Sequence, residues 1–271
     1  MHDSDNCKIY VFHYKSGEPF PDLPGYVHVL AGKANNPENS NFTGDNTGDN
    51  ISLRNKYYSE LTGIYWIYKN QSSEIVGTCH YRRFFTPNIE SFHYKLKRLL
   101  YFFCGLSIGR HGLIYTSNQD YWYKRILTSE KARLLLLGFD AIMPIKRRLR
   151  QTIENHYCKY HDASDLQLLR IIINAKAPAY SASFEFTLQQ KRLYANNMMV
   201  MKRQNFEKLW HWVFMLLFEY EKQVDMTKYI GYQKRIFGFL SERLITTWVN
   251  HHQLNVLELP LIYFKNLKKG K

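Results

Sequence analysis

The chain has 271 residues, 45% of them hydrophobic, with 21 Tyr, 17 Phe and 5 Trp. That length fits one large domain or two small ones, and the apolar content is too high for a disordered chain. Lysine and arginine outnumber aspartate and glutamate 37 to 23, a net charge of +14. This points to anionic partners (nucleic acid, a phosphorylated small molecule or an acidic membrane surface) and the composition excludes collagen-like, low-complexity and disulfide-scaffold classes.

In chain order, Lys8–Tyr14 (KIYVFHY) is rich in β-branched and aromatic residues and predicts a buried first strand. A Gly/Pro-punctuated stretch follows, mostly loop, with a short strand expected at Tyr26–Leu30. Ile51–Asn70 changes to helical spacing, with Ser52 placed to cap it. Glu74–Tyr81 (EIVGTCHY) predicts a second buried strand that runs into Arg82-Arg83. Ser91–Ser117 mixes basic, aromatic and apolar residues. Asn118–Leu137 is expected to be helical, with a helix starting at Thr128 or Ser129. Phe139–Met143 predicts a third strand stopped by Pro144, then a basic turn at Lys146–Arg150. Helices are expected at Gln151–His161, Ala163–Asn174, Phe184–Tyr194, Phe206–Gln223 and Phe237–His251, with strands at Met198–Lys202 and at Val256–Phe264, the last broken by Pro260.

Strands separated by helices predict an α/β fold with a mostly parallel central sheet, helices on both faces and a helix-rich C-terminal half. We expect one domain over residues 1–271, with its sheet half at 8–145 and its helical half at 146–271. Ligands of open α/β sheets bind at the carboxyl ends of the strands, which directs attention to His13–Lys15, His80–Arg83 and Pro144–Arg150. Cys7, Cys79, Cys104 and Cys158 form no CxxC pair, which argues against structural zinc and for buried thiols in a reducing compartment. The N-terminal stretch has no apolar signal core, and the longest apolar runs fall short of the roughly 20 residues of a membrane span. A cytoplasmic location is expected.

Four segments carry candidate chemistry. In GDNTGDNIS (Gly44–Ser52) two Gly-Asp-Asn triplets offer acceptors for sugar hydroxyls or a hard cation; the same residues also make a capped turn. In CHYRRFF (Cys79–Phe85) two arginines at a strand end make an anion clamp, or a solvated turn. In QTIENHYCKYH (Gln151–His161) Glu154 is placed as a base and His161 as a phosphate or hydroxyl partner, against an ordinary amphipathic helix. In GYQKRIFGFLSERLITTW (Gly231–Trp248) Glu242 is either a general base or half of a structural pair with Arg243. No Walker A, GxGxxG, GxSxG or zinc signature occurs, and the Asp-x-Asp at Asp3–Asp5 lies ahead of the first strand.

The combination GDNTGDNIS, NKYYSELTGIYWIYKN (Asn55–Asn70) and IVGTCHYRRFF (Ile75–Phe85) resembles the bacterial polysaccharide-biosynthesis glycosyltransferases of the domain-of-unknown-function 4422 family. DAIMP (Asp140–Pro144), the E-x2-Y-x3-H element at Glu154–His161, NNMMVMK (Asn196–Lys202) and FGFLSERLITTW (Phe237–Trp248) agree with it. The resemblance spans roughly Lys8 to Phe264. It implies a GT-A-like nucleotide-sugar fold and transfer of a sugar, from a donor such as UDP-galactofuranose, to a lipid-linked oligosaccharide in capsule, O-antigen or exopolysaccharide assembly. On that footing the donor site is expected to comprise Tyr10, His13, Asp45, Thr47, Asp49, Asn50, His80, Tyr81, Arg82 and Arg83. Arg82 and Arg83, with His80, would replace the metal that many GT-A enzymes hold on Asp-x-Asp. No cofactor is therefore expected, Mn²⁺ or Mg²⁺ on Asp45 and Asp49 being the alternative. Candidate bases are Glu242, Glu154 and Asp49, and acceptor-binding residues His161, Asn196 and Asn197. Residues 91–117 have the composition of an interfacial segment that rests on the anionic inner face of the cytoplasmic membrane. The rival class is a non-catalytic glycan- or nucleic-acid-binding protein, but the basic residues form no single run and no nucleic-acid-binding motif occurs, so nucleic acid is not expected as a partner.

Overall fold

The computed structural model describes residues 6–17, 20–36, 40–88 and 112–265, and residues 92, 96, 99 and 100 singly between them. The chain opens with β1 (Cys7–His13), whose residues alternate between two apolar layers. Strand β2 (Tyr26–Leu30) pairs parallel to it, His13 opposite Leu30, and the short β3 (Thr43–Gly44) extends that edge. The expected helix after Ile51 is interrupted. A 3-10 turn at Ser52–Arg54 leads into α1 (Asn55–Tyr58), the backbone turns at Ser59 with φ 51°, and α2 (Leu61–Asn70) follows. Ser52 does not cap it; its hydroxyl is bonded to Asp45 and accepts from the Ala34 N–H. A Cβ on Gly63 would run into the Phe12 ring, so glycine is what lets α2 seat on β1.

Strand β4 (Ile75–His80) lies parallel to β1, and a tight turn at Tyr81-Arg82 reverses the chain into β5 (Arg83–Phe85). After β6 (Leu113–Thr116) come α3 (Gln119–Tyr123) and α4 (Ser129–Leu135), capped by Asn118 and Thr128 side chains. The third predicted strand stops at Pro144, the last residue of β7 (Ala141–Pro144), which lies opposite Leu259. The ladder β8 (Arg147–Arg148) precedes α5 (Ile153–Tyr160), α6 (Ala163–Lys176) and α7 (Ser181–Gln189), then β9 (Arg192–Leu193) pairs back to β8. Strand β10 (Met199–Lys202), α8 (Arg203–Gln223), α9 (Ile236–His251), β11 (Val256–Leu259) and β12 (Leu261–Phe264) complete the chain. The strand expected over Val256–Phe264 is broken at Pro260, as expected, into β11 and β12.

The main sheet runs β11-β7-β10-β4-β1-β2-β3, all parallel except β10, with β12, β5 and β6 attached at one side. Period-2 alternation puts Tyr10, Phe12, Val76, Met199 and Met201 on the face covered by α1, α2 and α5–α9. Cys7, Ile9, Val11, Cys79 and Val200 pack on the other, against α4, β5 and β12. The reversal of β10 is what builds the site. Because it opposes β4, the residues that lead into it, Asn196 and Asn197, lie beside the carboxyl end of β4.

Candidate active site

Two connected chambers open at the carboxyl ends of β1 and β4. The first, about 340 Å³, is lined by Phe12–Tyr14, Ala31, His80–Arg83 and Tyr263. The second, about 480 Å³, is lined by Arg147, His156, His161, Asn196, Glu242 and Arg243 among others. Glu60, His80, Arg83 and Arg235 belong to both and form the seam between them.

Arg82 sits on the turn after β4 and Arg83 opens β5. Their guanidiniums lie over the Tyr81 and Tyr263 rings, 5.0 and 5.4 Å from the ring centres. The Nε of each is buried with no hydrogen-bond partner. Two cations thus hold unspent donor capacity at the place where α/β sheets bind ligands, which suits a diphosphate. His13, at the end of β1, lines the same chamber and packs against Phe42, ring centres 4.2 Å apart and planes tilted by 32°. Its tautomer follows from its neighbours. His28 Nε2 donates to the Pro21 carbonyl, so His28 Nδ1 accepts, and His13 Nε2 donates to it at 2.8 Å. Burial and His28 push the His13 pKa down to about 3, so the pair is neutral.

At the seam, Glu60 accepts from Asn197 Nδ2 at 2.9 Å and from Arg235 Nη2 at 3.0 Å. Burial opposes its ionisation, but His80, Arg235 and Asn197 outweigh burial and hold its carboxyl below the ordinary value. His80 donates from Nε2 to the Asn196 carbonyl at 2.8 Å. Burial lowers its pKa, Glu60 partly restores it, and Arg83 lowers it further. The Asn196 N–H in turn donates to Glu242 Oε1 at 2.8 Å, and Arg243 Nη1 donates to Glu242 Oε2 at 3.2 Å. Ser59, Asn196 and Asn197 are non-glycine residues held at φ 51°, 78° and 50°, the first two lining the cleft and the third buried behind it. Such strain persists where the surroundings over-determine it, and it gathers at functional sites.

Of the residues picked out from the sequence, His13, His80, Tyr81, Arg82, Arg83, His161, Asn196 and Glu242 line the cleft. Asn197 is buried behind it, holding Glu60 and accepting from the Ser241 hydroxyl. The Gly-Asp-Asn stretch lies elsewhere. Asp45 is fully buried, its carboxylate taken by the Gly32 and Lys33 N–H groups and the Ser52 hydroxyl. Thr47 accepts from the Trp66 indole, Asp49 from the Tyr65 hydroxyl, and Asn50 closes its own turn through Gly48 and Ser52. Asp49 also meets Asn70, at the far end of α2 from Glu60, a helix about 15 Å long. These residues fasten the loop to α2 and do not reach the chambers. Tyr10 points onto the α2 face and donates to Gln71. Glu154 faces away from the cleft, in a bridge to Arg170 at 3.0 Å and accepting from Gln189. Cys7 and Cys79 are buried, Cys158 is exposed, and Cys104 lies outside the described residues.

Glu60 was not picked out from the sequence, and Arg235 falls within Gly231–Trp248 without having been assigned a role there. Glu60 falls in a helical-looking run, and only the break at Ser59 turns it into the cleft. The signal was a Ser-Glu pair interrupting apolar spacing.

Glu60 lines both chambers, and each of its oxygens accepts a hydrogen bond. Among the described residues no three His, Cys, Asp or Glu side chains converge as ligands.

A mostly parallel sheet with helices on both faces and a cationic cleft at its strand ends defines a GT-A-like glycosyltransferase fold. Residues 8–253 match the domain of unknown function DUF4422, and the chain belongs to that family. It is similar to the apo structure of WbbM, a bifunctional glycosyltransferase, with a TM-score of 0.83 and 27% identity. That match covers 96% of this chain and 46% of WbbM, so the chain spans about half the length of that protein. Among curated protein sequences, none matches the chain.

Proposed function

We propose that the protein transfers a sugar from a UDP-linked donor, UDP-galactofuranose being one candidate, to a hydroxyl of a lipid-linked glycan in capsule, O-antigen or exopolysaccharide assembly. The observation that carries this reading is the pair Arg82 and Arg83, with buried, unpartnered Nε donors at the end of β4. Family membership and the likeness to WbbM support the reaction class.

In this reading the first chamber takes the nucleotide, with His13, Tyr81 and the two arginines around base, ribose and diphosphate. The second takes the acceptor. For transfer with inversion, the acceptor oxygen bonds to the anomeric carbon as that carbon's bond to the phosphate oxygen breaks. The electron pair leaves with the nucleoside diphosphate, whose growing charge the guanidiniums stabilise, and the hydroxyl proton passes to Glu242. Glu242 suits that role because it lines the acceptor chamber and is oriented by Asn196 and Arg243. Arginine in place of a metal makes the enzyme independent of Mn²⁺ and Mg²⁺.

We place the enzyme in the cytoplasm, on the inner face of the membrane. Among the described residues no helix is long and apolar enough to cross a membrane, and Phe92, Leu96, Leu99 and Leu100 are exposed. Leu113–Thr116, inside the 91–117 segment, is strand β6; most of the remainder lies outside the described residues.

A thermal-shift panel of nucleotide sugars with and without Mn²⁺ tests the reading. A ligand at 100 times its Kd stabilises by about 2.7 kcal/mol. UDP-sugars should raise Tm in EDTA as well as in Mn²⁺. No shift with any nucleotide sugar would overturn the donor assignment, and a shift seen only with Mn²⁺ would overturn metal independence.

A further inference from the structure

We infer that the hollow between Gly238 and Glu60 is the subsite for the transferred sugar, with the Glu60 carboxylate accepting a hydrogen bond from one of that sugar's hydroxyls. This rests on the reading above, in which the nucleotide fills the first chamber and the acceptor the second. The anomeric carbon then lies between a phosphate oxygen in one chamber and a hydroxyl oxygen in the other, so the sugar ring crosses the seam. Glu60, His80, Arg83 and Arg235 line both chambers there, and Glu60 is the acid among the four.

A carboxylate repels a diphosphate, so Glu60 has nothing to offer the nucleotide end of a donor. Burial opposes its ionisation, but His80, Arg235 and Asn197 outweigh burial and keep it charged. An ionised carboxylate only accepts hydrogen bonds, and the donors a sugar brings are its O–H groups. Its orientation is set from behind. Asn197 Oδ1 accepts from the Ser241 hydroxyl at 2.9 Å, which turns the Asn197 amide N–H onto Glu60 Oε1 at 2.9 Å. Arg235 Nη2 holds Oε2 at 3.0 Å. Each oxygen has one such partner, and a carboxylate offers about four acceptor sites, so capacity is left for a ligand.

Gly238 is the second, independent observation. It lies in the first turn of α9, is buried, and lines the second chamber. Outside its own helix, a Cβ there would meet only Glu60 Oε1 at 3.8 Å and Asn197 Nδ2 at 3.9 Å, both ordinary van der Waals distances. Its φ is not among the positive values, so the backbone does not require glycine. Alanine fits this position and is the better helix former. What the glycine preserves is the space directly before Glu60 Oε1, which a methyl group would fill. A charged acceptor facing space kept free of side chain is the make-up of a hydroxyl subsite.

The test is titration calorimetry on the full chain with UDP, UDP-glucose, UDP-galactose, UDP-N-acetylglucosamine and UDP-galactofuranose, continued with the UDP-sugar that binds most tightly. Gly238→Ala should melt no lower than the parent protein, keep UDP affinity within twofold and weaken that UDP-sugar at least about tenfold. Glu60→Gln should weaken the UDP-sugar at least about fivefold while UDP binds no more than twofold less tightly. A carboxylate that only held Arg235 would move both ligands alike. Among the monodeoxy analogues of the same UDP-sugar, one should bind the parent protein at least about tenfold more weakly than the complete sugar, and Glu60→Gln should no longer distinguish the two. Should Glu60→Gln fail to fold, Gly238→Ala and the deoxy series on the parent protein still decide. Four results would each overturn the inference: Gly238→Ala binding the UDP-sugar as the parent does, Gly238→Ala losing UDP and UDP-sugar alike, a deoxy series with no weakened member, or UDP binding while no UDP-sugar binds. Failure of UDP itself to bind would strike the donor assignment, and this subsite with it.

Discussion

Glu60 Oε2 and Arg235 Nη2 meet at 3.0 Å across the seam of the two chambers, one from the start of α2 and the other from the turn before α9. Arg235 also donates from Nε to the Ser59 hydroxyl, so a single guanidinium holds both residues of the break between α1 and α2. Glu60 is the more buried partner. Arg235→Gln should therefore cost about 1–2 kcal/mol, the partly exposed guanidinium keeping the loss below that of a buried pair. A lowered midpoint in urea at unchanged slope would establish it.

Glu242 and the two other candidate bases, Glu154 and Asp49, separate cleanly in a kinetic series. Glu242→Gln should lower kcat by about 10²- to 10⁴-fold with UDP affinity within twofold. Glu154→Gln and Asp49→Asn, whose side chains lie outside the chambers, should leave turnover within about threefold. A Glu242→Gln enzyme of normal kcat would remove it as the base.

Asp45 is expected to matter for folding and not for the donor. Asp45→Ala strips the partners of two backbone N–H groups and of the buried Ser52 hydroxyl. A loss of about 2–4 kcal/mol is expected. At a temperature where the variant is folded, its UDP affinity should match that of the parent protein.

The neutral His13–His28 pair gives stability a pH dependence. The His13 pKa is about 3 in the folded chain and near 6.5 when unfolded, so the unfolded chain binds more protons between those values. Its contribution is complete above pH 6.5 and is lost progressively as pH falls toward 3, with a slope approaching about 1.4 kcal/mol per pH unit. His28, lowered by burial, acts in the same direction. His13→Gln should flatten the dependence of unfolding free energy on pH between 6.5 and 4.

Much of the frame was legible in the sequence. The apolar runs at β1, β2 and β4 and the long periodicities of α8 and α9 are visible because burial writes them into neighbouring residues. His80–Arg83 was legible for the same reason: it follows a buried strand, and strand ends are where such sheets bind. The Gly-Asp-Asn triplets read two ways in the sequence because a residue set that suits sugar hydroxyls also suits a tight turn, and only the position of α2 shows what each side chain touches. Asp45 is buried by backbone groups 12 and 13 residues away, a contact no local pattern records. Glu154 was read on the right helix but on the wrong side of it, since Arg170 comes from α6. The antiparallel entry of β10, which brings Asn196 against His80 and Glu242, is a matter of topology.

Titration calorimetry of UDP and of uridine against the parent protein and Arg82→Gln/Arg83→Gln, in EDTA, addresses the central claim most directly. Each charge-assisted contact is worth about 1.5–3 kcal/mol. The double variant should therefore lose UDP affinity by at least about 100-fold while uridine binding stays within twofold. UDP affinity unchanged in the folded double variant would contradict the assignment of the two guanidiniums to the diphosphate.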